Sequence, residues 1–124
     1  MTILKGLFLA VPILMAGPTA AVECGTTLTL QLPSERTGLG GLILDVTIRA
    51  PNRTYVLVTT DTGASVATIA PFAIEGSARY QLVVPATAMQ AKSLTFDAHF
   101  AEADGSGRRP EICIESFTFR PLDP

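Results

Sequence analysis

Between Thr26 and Phe119 apolar residues recur at almost every second position, and this period constrains the fold more than any other feature of the chain. A strand sends successive side chains to opposite faces, whereas a helix needs a repeat near 3.6. Thr26–Leu32 puts Leu28, Leu30 and Leu32 on one face. Leu42–Ala50 puts Leu42, Leu44, Val46 and Ile48 on one face, with Asp45, Thr47 and Arg49 on the other. Thr54–Thr60 is apolar on both faces, as a central strand should be. Ser65–Ile74 is a weaker strand broken by Pro71, which cannot donate to a ladder and belongs at an edge or bulge. Ala78–Val84, Ser93–Ala101 and Glu111–Phe119 complete the set, with Leu94, Phe96, Ala98 and Phe100 facing inward. Turn residues separate these runs at Pro51-Asn52, Asp61-Thr62-Gly63, Glu75-Gly76-Ser77 and Asp104–Gly107. Only Ala86–Lys92 offers a turn or two of helix.

The pattern predicts an all-β fold: a seven-stranded antiparallel β-sandwich, immunoglobulin-like in topology, with a small β-barrel as the alternative. The cysteines depart from the immunoglobulin spacing. Cys24 precedes the first strand and Cys113 lies in the last, and the chain has no tryptophan to pack between them. The segment Pro33–Gly41 is too long for a tight hairpin and is expected to cross between sheets or form a lip.

Residues 1–21 have the pattern of a cleaved secretory signal peptide: Lys5, the apolar run Leu7–Met15, then Thr19 and Ala21 at a small-residue cleavage site. That run is shorter than the roughly 20 residues a spanning helix needs. Glu23 directly before Cys24 does not suit a lipoprotein signal. Residues 22–124 are then one domain, soluble and exported to the periplasm or the cell exterior. Without Lys5 the domain carries eight Lys and Arg against eleven Asp and Glu, a charge of −3 that does not attract nucleic acid. Export places the only two cysteines in an oxidising compartment, so a Cys24–Cys113 disulfide is expected, tying the terminal strands together.

The stretch Asp61-Thr62-Gly63-Ala64-Ser65 follows an apolar strand and resembles the catalytic loop of pepsin- and retropepsin-type aspartic proteases. The resemblance implies a homodimer in which each chain contributes Asp61, because that chemistry needs two carboxylates sharing a proton. The same residues also read as a three-residue hairpin loop with Gly63 in the left-handed region. That reading predicts the pairs Val58–Val66, Leu57–Ala67 and Tyr55–Ile69, apolar against apolar. The later apolar-apolar-Gly element of such proteases has no counterpart here, so the hairpin is the favoured reading.

The single histidine, His99, shares a strand face with Asp97 and Thr95, too few ligands for zinc or blue copper. No serine sits in a Gly-x-Ser-x-Gly elbow. Glu102, Asp104 and Ser106 lack the spaced acidic positions of a calcium loop. Asn52-Arg53-Thr54 is an N-glycosylation sequon. No catalytic set, cofactor or metal is therefore expected. The expected function is a non-catalytic, monomeric binding or accessory module that recognises a protein or glycan through loop residues Asn52, Arg53, Arg108 and Arg109. A homodimeric protease and a structural or assembly subunit are the alternatives.

Overall fold

The computed structural model describes residues 22–34, 41–70, 76–88, 90–102 and 105–122. The expected signal peptide, most of the Pro33–Gly41 loop and Pro71 lie outside these residues. Among them are eight strands: β1 (Glu23–Gly25), β2 (Thr27–Gln31), β3 (Gly41–Ala50), β4 (Thr54–Thr60), β5 (Ser65–Ile69), β6 (Gly76–Pro85), β7 (Ser93–Phe100) and β8 (Ile112–Pro121). Of the expected helical segment, the described residues hold one 3-10 turn, Ala86–Ala88.

The strands form two antiparallel four-stranded sheets, β1-β8-β3-β6 and β2-β7-β4-β5, so the expected sandwich is present and the barrel is not. The strand count and order differ from the immunoglobulin-like expectation. There the first two strands lie side by side in one sheet; here β1 and β2 belong to different sheets. β1 pairs with β8, β2 with β7, β3 with β6 and β4 with β5. This is one long four-over-four hairpin, closed by the β4–β5 turn and rolled up so that the strands on either side of that turn alternate between layers, the jelly-roll arrangement. The strand missing from the sequence reading is β1, which is three residues long and too short to show a period.

The core forms where the two apolar faces meet. Leu44, Val46 and Ile48 of β3 and Ile112 and Ile114 of β8 face Val56 and Val58 of β4 and Leu94 and Phe96 of β7, all buried. Cys24 and Cys113 are directly opposed across β1 and β8 and joined by the expected disulfide, on the outer face of the first sheet.

The β4–β5 hairpin is present, but its register differs from the expected one. Thr59 pairs with Ser65; then a bulge intervenes, and Val58 pairs with Ala67 and Val56 with Ile69. A regular register would set Ile69 opposite Tyr55, on the solvent side of the sheet. The extra residue turns β5 so that Ile69 reaches the core, where it is 5% exposed. Burial of a large aliphatic side chain, roughly 1.5–3 kcal/mol, outweighs one disrupted ladder position.

A second bulge, in β8 opposite Thr47 and Ile48, leaves Glu115 unpaired in the register. Its carboxylate accepts from Arg49 Nε and from Ser77 Oγ, both at 2.8 Å, linking β3, β6 and β8 on the outer face. These two bonds and the Arg49 charge hold the Glu115 carboxyl below its usual range.

Candidate binding groove

The β3–β4 turn, the end of β7 and the β7–β8 connection converge at one end of the sandwich. The amide of Ala101 donates to the carbonyl of Arg53 at 2.7 Å. Arg53 also pairs with Glu102 at 2.8 Å, with both side chains well exposed, so the pair contributes little stability. Arg53 adopts φ of 61°, unusual for a residue with a Cβ, because the turn must reverse the chain within three residues. Asn52 is exposed at the tip, whereas Thr54, the third sequon residue, is fully buried.

Arg109 is a brace. Its Nε donates to the carbonyl of Ala98 at 2.9 Å, and one terminal nitrogen reaches the carbonyl of Thr26 at 2.9 Å, Thr27 Oγ1 at 3.0 Å and Asp97 Oδ1 at 3.2 Å. Asp97 in turn accepts from Thr27 Oγ1 at 2.8 Å. The arginine thus ties the β7–β8 connection to the outer face of the second sheet, across β2 and β7.

Arg108 differs. It is exposed, and among the described residues only its backbone amide is bonded, to Ser106 Oγ at 3.1 Å. Among the described residues the ion pairs engage Arg49, Arg53, Arg109 and Arg120, not Arg108.

Beside it, β4 and β7 set Tyr55 directly opposite His99. Their rings stack with centroids 5.3 Å apart and planes 22° from parallel. Tyr55, His99, Phe100, Gly105, Gly107 and the two arginines line an open groove of about 440 Å³. That volume lies within the roughly 300–1,000 Å³ range of small-ligand sites. Gly105 and Gly107 have positive φ and open space where a Cβ would stand, so the backbone itself borders the groove.

All four residues selected from the sequence, Asn52, Arg53, Arg108 and Arg109, therefore lie at one end, and Arg108 and Arg109 line the groove. Sequence reasoning missed Tyr55, because a tyrosine in an apolar run gives no sign of which face it takes. It placed His99 on a polar face but not against an aromatic ring. Only the β4–β7 register shows that the two rings meet. No cluster of three or more metal-ligating side chains occurs among the described residues.

Asp61 lies at the far end of β4, seven residues from the groove end and so about 20 Å away. The loop has the expected form: Gly63 has φ of 94°, its amide donates to Thr60 at 3.0 Å, and Thr60 donates to Ala64 at 2.8 Å.

The fold and groove together define a small jelly-roll sandwich with one mixed aromatic and cationic groove at a loop end. No family model, curated protein or solved structure matches this chain.

Proposed function

We propose that residues 22–124 are an exported, non-catalytic binding module that recognises a protein or glycan partner at the groove end. The observation that carries this reading is the groove itself, where stacked rings, open backbone and a guanidinium with no ion-pair partner among the described residues lie side by side. Aromatic rings and arginine are the groups that dominate recognition surfaces, because they present large area and directional bonds at modest entropic cost. Export is supported by the signal-like leader and by the disulfide, a bond that persists in oxidising compartments. No helix among the described residues is long and apolar enough to cross a membrane. The turn reading of Asp61 is supported by its carboxylate, which accepts from a backbone amide of its own chain.

Affinity capture tests the proposal. Tagged residues 22–124 are expected to recover a partner from the native extracytoplasmic fraction, and a Tyr55→Ala, Arg108→Ala double variant to lose it. Equal recovery by both proteins removes the groove from the function. Size-exclusion chromatography is expected to give a monomer; a stable dimer or polymer favours the protease or assembly readings.

A further inference from the structure

We infer that the groove takes an acidic sugar residue, with the pyranose ring against the Tyr55–His99 pair and the carboxylate on Arg108; this rests on the binding-module reading above.

The charge pattern selects an anion. Three arginines stand at this end of the sandwich, and two are committed: Arg53 to Glu102, and Arg109 to Asp97 and two backbone carbonyls. Arg108 has no carboxylate partner among the described residues, yet it lines the groove. A guanidinium presents a planar fork that matches a carboxylate in two parallel bonds. At the groove, a single cation without an ion-pair partner among the described residues, in a domain of net charge −3, suits a singly charged group better than a phosphate or a polyanion.

The ring pair selects the body of the ligand. Aromatic faces carry negative charge density and attract the electropositive C–H groups of a pyranose, while leaving its hydroxyls to water. The groove is open along one side rather than enclosed, which admits one residue of a longer chain. Gly105 and Gly107 let the ligand approach the backbone with no side chain between.

The test is an NMR titration of ¹⁵N-labelled residues 22–124 with three probes: tri-galacturonate, its neutral methyl ester, and a tri-glutamate peptide. Tri-galacturonate is expected to shift the amides of Tyr55, His99, Gly105 and Gly107 and to bind at least tenfold more tightly than its ester. Arg108→Ala is expected to bring the acid down to the affinity of the ester, and Arg108→Lys to recover part of the difference. Equal affinity for acid and ester overturns the role of Arg108. Binding of the peptide as tightly as the acidic sugar overturns the sugar assignment and leaves the binding-module reading standing. Silence from all three probes overturns the assignment as well, and the capture experiment then decides separately whether the groove binds anything.

Discussion

The carboxylate of Asp61 accepts a 3.0 Å hydrogen bond from the backbone amide of Lys92, thirty-one residues further along the chain. Beside it, the Asp61 amide donates to the carbonyl of Ser93 at 3.1 Å. The residue therefore pins the β4–β5 loop to the start of β7. Asp61→Ala leaves the Lys92 amide to water and is expected to cost about 1 kcal/mol, because the site is exposed. That corresponds to a melting temperature roughly 4–8 °C lower for a domain of this size. Asp61→Asn keeps an acceptor and is expected to lose less. Thermal unfolding checks the order. Casein at mildly acid pH is expected to stay intact with the wild type; cleavage that vanished in Asp61→Asn would reinstate the protease reading.

Gly41 and Gly63 both have positive φ, but they differ in what surrounds them. At Gly63 an added Cβ meets nothing within 4 Å, whereas at Gly41 it meets the backbone carbonyl oxygen of Val84 at 2.7 Å. Gly63→Ala is expected to cost about 1 kcal/mol, the left-handed penalty alone. Gly41→Ala adds a backbone clash that no rotamer relieves and is expected to cost about 2–3 kcal/mol. Urea midpoints of the two variants check this ranking.

The disulfide links residues 89 apart and holds β1, a strand of three residues, on β8. In the chain-entropy treatment a loop of this length stabilises by about 4–5 kcal/mol, and real bridges often deliver 2–4. A Cys24→Ser, Cys113→Ser double variant is expected to lose stability on that scale. The protection of the Ile112–Ile114 amides against hydrogen exchange is expected to fall first, since β1 is their outer neighbour.

Two carboxylates on the outer face make the fold sensitive to acid. Burial raises the Asp45 carboxyl, but Arg120 and Gln81 beside it, with the added charge of Arg79, lower it by more. Glu115 is lowered by Ser77 and Arg49. A group whose pKa is lower in the folded chain contributes stability above its unfolded value and loses it as pH falls through the folded value. Stability is therefore expected to be level above about pH 5 and to decline below about pH 4, near the ordinary carboxylate range. Glu115→Gln, measured by urea unfolding against pH, is expected to flatten part of that decline.

Thr54 is fully buried, and its hydroxyl has no hydrogen-bond partner among the described residues. A buried hydroxyl without a partner costs roughly 1–3 kcal/mol, and valine has nearly the same shape. Thr54→Val, made in unglycosylated protein, is expected to raise the melting temperature by several degrees. A lower melting temperature would mean that the hydroxyl is satisfied after all.

The local features of this protein were legible in its sequence. Alternation told which side chains of β3 and β7 face the core, because a period of two leaves only one way to bury Leu44, Val46 and Phe96. Gly63 marked a left-handed turn, and the two cysteines of the sequence implied one bond. Periodicity, however, says which way a residue points and not which strand lies beside it. The pairing of β1 with β8 and β2 with β7 joins residues more than 60 apart, so it is set by packing of the whole chain. The two bulges follow from the same cause: Ile69 reaches the core, and Glu115 reaches Arg49 and Ser77, only once the sheets are assembled. The groove belongs to that level too. Tyr55, His99 and Arg108 are scattered in the chain, and they become one surface because the β4–β7 register and the Arg109 brace bring them together.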